Sequence, residues 1–153
     1  PLRDQQDVAG RAVIDILRHL RGDLAGEVRP DAGDQRGRDD RLNALKAIAE
    51  LEKDGIDVEL IDLRTIRPMD LPTVIESVKK TGRLVTVEEG YPQSSVGTEI
   101  ATRVMQQAFD YLDAPVVNCT GKDVPMPYAA NLEKLALVTV PEVIAACKSV
   151  LYR

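Results

Sequence analysis

The stretch from Leu84 to Gly97, LVTVEEGYPQSSVG, constrains the fold of this chain more than any other. Leu84, Val85, Thr86 and Val87 form an apolar, β-branched run without polar alternation, which is the pattern of a buried strand. The run stops at two carboxylates, Glu88 and Glu89. Gly90 and Pro92 then turn the chain, and Ser94, Ser95 and Gly97 open a long helix. A strand, a polar Gly-containing loop and a helix N-terminus are the parts from which open α/β sheets build their binding crevices.

The rest of the chain from Leu42 onward reads as layers around this unit. Leu42, Leu45, Ile48, Ala49 and Leu51 recur at helical spacing, and Gly55 follows as a C-terminal cap. Val58, Leu60, Ile61 and Leu63 predict a short strand, and Pro68 makes an extended break after it. Asp70 is placed to cap a helix that carries Leu71, Val74, Ile75 and Val78 on one face. Lys79 and Lys80 favour its last turn and Gly82 its end. A helix over 97–111 is expected to bury Ile100, Ala101, Val104, Ala108 and Phe109. Asp113, Ala114 and Pro115 break it, and Val116, Val117 and Cys119 predict a third strand. Gly121 to Tyr128 is a Pro-rich loop, followed by a short helix over 132–137. Pro141 then favours the first turn of the last helix, with Val143, Ile144, Cys147, Val150 and Leu151 on one face. Strands alternating with helices predict an α/β fold of three layers, with a mixed, mainly parallel sheet covered on both faces.

Residues 1–41 differ in kind, and they are set apart here as an atypical, partly irregular segment before a domain over 42–153. All eight of their basic residues are Arg, whereas all seven Lys of the chain come later, and half of the ten glycines lie here. Val13, Ile16, Leu17 and Leu20 sit at helical spacing, which predicts an amphipathic helix over 12–20. The stretch Asp23 to Arg41 has little to bury and reads as a loop or disordered segment. Three strands make a thin sheet, and RAVIDIL (Arg11 to Leu17) is the one candidate for a fourth, against its helical spacing.

Composition narrows the function. Charged residues make up 29 % and the net charge is −5, which argues against nucleic acid or an anionic membrane as a partner. Aromatics are only 3 %, with no Trp, so stacking platforms for bases are not expected. No apolar run approaches the roughly 20 residues that span a bilayer, and the start has no apolar signal core. Cys119 and Cys147, far apart in apolar segments, read as reduced core residues.

Catalytic sets are scarce. One His, His19, lies next to Arg18 and Arg21 with no obvious acid partner, and a single His with two separated Cys does not make a zinc or redox motif. The chain contains no GxGxxG, GxxxxGK[ST] or GxSxG. Glu88 and Glu89 are adjacent, so on a strand they face opposite ways and do not form one acid/base pair. Either could act alone as a base or ligand in a small free-standing enzyme, or serve in an ion pair or subunit contact. Asp113 and Asp123 flank the third strand and read as caps or surface docking charges. The rigid loop GKDVPMPY, with Met126 and Tyr128, suits core covering and protein contact equally.

VELIDLRTIRPMDLPTVIESVKKTGRLVTVEEGYPQSSVGTEIATRVMQQAFDYLDAP, followed by GKDVPMPYAANLEKLAL, resembles the C-terminal domain of pyruvate dehydrogenase beta subunits, within the wider transketolase C-terminal domain family. The resemblance runs from about Ala44 to Arg153 and is carried by IDLRTIRPMD, VEEGYPQ, YLDAP and DVPMPYA. It implies an assembly of two alpha and two beta subunits, in the bacterial cytoplasm or the mitochondrial matrix. That assembly decarboxylates pyruvate with thiamine diphosphate and magnesium and passes the acetyl group to lipoyl groups. The resemblance assigns this domain no catalytic, cofactor or metal residue. It implies instead that the domain holds the alpha subunit and a second beta subunit and docks the subunit-binding domain of dihydrolipoyl acetyltransferase. Docking falls to Asp113 of YLDAP and to the terminal carboxylate on Arg153. Glu88, Glu89, Tyr91, Gln93 and Tyr128 are candidates for subunit contacts. A beta subunit of a related 2-oxo acid dehydrogenase is the alternative within the family, and a folding-defective fragment is the alternative outside it.

Residues 1–41 depart from that pattern. The family supplies an alternating strand and a Gly-containing turn before the helix near Leu42, and an N-terminal domain with the thiamine-contacting Glu. Here the Arg-, Asp- and Gly-rich composition resembles GC-rich coding DNA read out of frame, so an upstream frameshift or mis-called start is expected.

Overall fold

The computed structural model of the protein describes residues 11–17 and 36–152. Four strands form one sheet in the order β2-β1-β3-β4: β1 is Arg11–Leu17, β2 Asp57–Leu63, β3 Leu84–Glu88 and β4 Val117–Thr120. All three pairings are parallel, so the described part of the sheet carries no antiparallel strand. The helices are α1 (Arg36–Lys53), α2 (Leu71–Thr81), α3 (Val96–Ala108), α4 (Ala130–Ala136) and α5 (Val140–Val150), with a single 3-10 turn over Phe109–Tyr111.

Two cores make this a three-layer fold. Ala44, Ala47 and Leu51 of α1 pack with Val143, Cys147 and Val150 of α5 against Val85 and Val87 of β3. On the other face Val74, Ile75 and Val78 of α2 pack with Ile100, Val104 and Ala108 of α3 against Ile61, Leu63 and Leu84. The alternation along β3 sends Val85 and Val87 to one core and Leu84 to the other, so a short strand serves both layers. Burial also pushes the Cys147 thiol up to about 12, as expected of a cysteine acting as a core residue.

The local signals act as the sequence suggests. Asp70 accepts the Thr73 N–H at 3.3 Å and the Thr73 hydroxyl at 2.7 Å, capping α2. Gly82 ends α2 at φ +72°, a conformation that an L side chain resists. At α5, the Thr139 N–H and hydroxyl both donate to Glu142, completing a capping box.

Three expectations need correction. The helix expected over 12–20 is a strand across Arg11–Leu17; residues 18–20 lie outside the described residues. Helical spacing loses here because β1 fills the position between β2 and β3, with seven register partners on β2 and four on β3. Val13, Ile14 and Ile16 also favour extended backbone. The loop expected over 23–41 is helical from Arg36, six residues before Leu42; residues 23–35 lie outside the described residues. Phe109, expected in the core, is 60 % exposed. Phe109 follows Ile100 by nine positions, about half a turn off its face on a helix of 3.6 residues per turn, so the ring points away from Ile100 and Val104.

Candidate functional site

The carboxyl end of β3 separates the two glutamates as alternation requires. Glu88 faces α3, is 2 % exposed, and accepts the Gly97 N–H on Oε1 at 2.9 Å. Beside it the Thr86 hydroxyl donates to Asn118 Oδ1 at 2.6 Å, and Asn118 Nδ2 donates to Ser95 Oγ at 3.0 Å. Ser95 in turn accepts the Thr98 N–H, so one polar network caps α3 and ties it to β3 and β4. Gly97 is required here by space: a Cβ would lie 2.4 Å from Asn118 Oδ1 and 2.6 Å from both Glu88 Oε1 and Thr86 Oγ1. Glu88 therefore acts within the fold, as the carboxylate at a helix N-terminus.

Glu89 turns to the other side. It lines an open cavity of about 390 Å³ with Asn43, Lys134, Val138, Thr139 and Pro141. Asn43 Nδ2 donates to the Val138 carbonyl at 3.1 Å, fixing one wall. Lys122 pairs with Glu142, which lies 20 positions further along the chain. Burial pushes the Glu142 carboxyl up, but hydrogen bonds from Lys122 and Thr139 outweigh it and hold the pKa below the ordinary 4.5.

The amino end of the sheet holds Asp113. Its backbone N–H donates to the Gly82 carbonyl at 2.7 Å, and its carboxylate lies 3.7 Å from the Arg83 guanidinium. The side chain is 48 % exposed. The Tyr152 hydroxyl donates to the Asp113 carbonyl at 3.3 Å, which brings Tyr152 beside the YLDAP aspartate. Arg153 itself lies outside the described residues, as does His19.

Tyr91, Gln93 and Tyr128 are exposed, Tyr128 completely. Val124, Met126, Leu132 and Leu135 are exposed apolar side chains as well. Glu88 is thus separated by burial from the other candidates for subunit contact, while Tyr91, Gln93 and Tyr128 face outward. Arg83, Asn118 and Tyr152 carry no signal in sequence, since their partners are remote; the C-cap spacing alone picks out Gly82.

The family described as Transketolase, C-terminal domain matches residues 41–143. The chain belongs to the transketolase C-terminal domain family. It is 83 % identical over 110 residues to the pyruvate dehydrogenase E1 component subunit beta of Rhizobium meliloti (strain 1021), covering 72 % of this chain and 24 % of that protein. It is 60 % identical over 109 residues to the corresponding subunit of Rickettsia bellii (strain RML369-C), covering 71 % and 34 %. The mitochondrial subunit of Pisum sativum is 56 % identical over 110 residues, covering 72 % and 31 %. The chain therefore spans between a quarter and a third of the length of these curated relatives. Among solved structures it is similar to one described as "Split gene transketolase, inactive beta4 tetramer". The TM-score there is 0.65 at 25 % identity, over 95 % of this chain and 39 % of that one. The resemblance drawn from IDLRTIRPMD, VEEGYPQ and DVPMPYA and the three-layer α/β fold of this family both hold.

Thiamine diphosphate and magnesium, implied by the resemblance for a whole enzyme, need oxygen ligands gathered around a metal ion. Among the described residues no group of three or more His, Cys, Asp or Glu is placed to hold one. Among the described residues no helix is long and apolar enough to cross a membrane.

Proposed function

We propose that this chain is the C-terminal assembly and docking domain of the beta subunit of a pyruvate dehydrogenase. It works in the bacterial cytoplasm or the mitochondrial matrix, a reading supported by relatives from bacteria and one named as mitochondrial. Its partners are the alpha subunit, a second beta subunit and the subunit-binding domain of dihydrolipoyl acetyltransferase. Asp113 and the carboxylate of Arg153 form the docking charges. Glu89, Tyr91, Gln93 and Tyr128 contribute to subunit contacts, together with Glu88 through the loop that it anchors. In this reading the chemistry on pyruvate, with thiamine diphosphate and magnesium, belongs to the whole enzyme. This domain contributes position, bringing the acetyl-accepting partner to it. A related 2-oxo acid dehydrogenase is disfavoured by the 83 % identity to a pyruvate dehydrogenase subunit.

The observation that supports the docking part is the half-exposed Asp113 carboxylate, with the Tyr152 hydroxyl donating to the Asp113 carbonyl beside it. An exposed carboxylate of this kind suits a partner that presents Arg and Lys. The test is calorimetric titration of the chain with the subunit-binding domain at low and at physiological salt. Saturable binding that weakens with salt is expected. Asp113→Asn is expected to weaken it about tenfold, ~1.4 kcal/mol, and unchanged affinity would sink the assignment.

A further inference from the structure

Arg83 is an arginine with an unusual position: its side chain is only 14 % exposed, yet it borders a half-exposed carboxylate. Its Nε–H donates to the Val150 carbonyl at 3.0 Å, and Nη1 donates to the Thr81 carbonyl at 3.3 Å. The same Nη1 lies 3.7 Å from Asp113 Oδ2. The planar fork thus spans the end of α2, the end of α5 and the segment before β4. A lysine ammonium, with donors radiating from one point, does not reach three such acceptors in a fixed plane.

Asp113 is confined from two further sides. Gly82, at φ +72°, leaves the space that the carboxylate occupies: a Cβ there would lie 2.3 Å from Asp113 Oδ2 and 2.8 Å from its Cγ. Tyr152 holds the Asp113 carbonyl. The other cations nearby have partners of their own, since Lys79 bonds Glu76 at 2.7 Å and Lys80 pairs with Glu59 at 3.5 Å. Among the described residues, Arg83 is therefore the cation that faces Asp113.

We propose that Arg83 is a positioning residue for docking: anchored on α2 and α5, it presets the Asp113 carboxylate in the geometry that a basic partner meets. This rests on the docking reading above. A charged side chain that is already fixed loses less rotamer freedom on binding, so its contact yields more affinity. Because Arg83 acts through Asp113, its effect should vanish when the carboxylate is gone.

The experiment titrates the 153-residue chain and four variants with the subunit-binding domain by calorimetry, with a circular dichroism melt of each. The variants are Asp113→Asn, Arg83→Lys, the double variant, and Gly82→Ala. Arg83→Lys keeps the charge and is expected to weaken binding about three- to tenfold. The double variant is expected to bind within about twofold of Asp113→Asn alone, because coupled residues are not additive. Gly82→Ala alters no charge but displaces Asp113, and is expected to lose affinity to a similar degree. It carries the test if Arg83→Lys loses its cooperative melt. The proposal is overturned if Asp113→Asn weakens binding while Arg83→Lys and Gly82→Ala do not. It is also overturned if the Arg83 and Asp113 losses simply multiply. Tighter binding by Arg83→Lys overturns it as well, since Arg83 would then compete with the partner for the carboxylate. Unchanged binding by Asp113→Asn removes the docking reading itself.

Discussion

The two ends of the sheet hold carboxylates of opposite kinds. At the carboxyl end, Glu88 is buried and bonded to a helix N–H, inside a network that includes Thr86, Asn118 and Ser95. At the amino end, Asp113 is half exposed, with its backbone bonded to Gly82 and its side chain beside Arg83. Topology alone favours the carboxyl end as the binding end of an open α/β sheet. Satisfaction of hydrogen bonds reverses that preference for these two acids. A buried, partnered carboxylate stabilises the fold, whereas a held but open one can still meet a cation from another molecule.

The largest effect that would break this contrast is expected at Gly97. Gly97→Ala drives a Cβ into Asn118, Glu88 and Thr86, and is expected to destabilise the chain by about 2–4 kcal/mol, since overpacking is combined with a disturbed buried network. Urea denaturation reads this directly; a loss below about 0.5 kcal/mol would mean that the carboxyl end is looser than described. Glu88→Ala is expected to cost somewhat less, about 2 kcal/mol, because it leaves the Gly97 N–H buried without its charged acceptor. Asp113→Asn, by contrast, is expected to change stability by less than about 1 kcal/mol, as a half-exposed ion pair contributes little to folding. If Asp113→Asn proved as destabilising as Glu88→Ala, the two ends would not differ in kind.

The smallest effect concerns acid. The folded-state pKa of Glu142 is depressed, so its contribution is present above its ordinary value of 4.5 and is lost as pH falls through the lower folded value. Denaturation midpoints measured between pH 7 and pH 3 should therefore fall below about pH 4.5 in the native chain. Glu142→Gln should flatten part of that fall. Because Glu142 is about one-third exposed, solvent screening keeps the difference small. An equal fall in the variant would locate the acid sensitivity elsewhere.

Much of this architecture was legible in the sequence. Asp70, Gly82 and Pro141 mark helix ends by local chemistry, and α2, β3 and α5 lie where the apolar spacing puts them. Glu88 and Glu89 face apart because strand geometry leaves no alternative. What failed was local reasoning about segments with two readings. Val13, Ile16, Leu17 and Leu20 fit a helix by spacing and a strand by residue type, and nothing within the segment decides between them. Phe109 is as apolar as its neighbours on α3, yet its spacing from Ile100 and Val104 puts it on the opposite face of the helix. Arg83 was invisible as a site residue because Val150 lies 67 positions further along the chain.

The sequence by itself determined the alternation of strands and helices, the caps and the family, since each follows from residues a few positions apart or from a contiguous motif. The tertiary structure alone decided that Arg11–Leu17 fills the interior of the sheet, that Glu88 is spent on α3, and that Gly82, Arg83, Asp113 and Tyr152 meet. The physical reason is the same in each case. A strand is stabilised by neighbours that pair with it, and a charge by partners that surround it, and in this fold those neighbours come from distant parts of the chain.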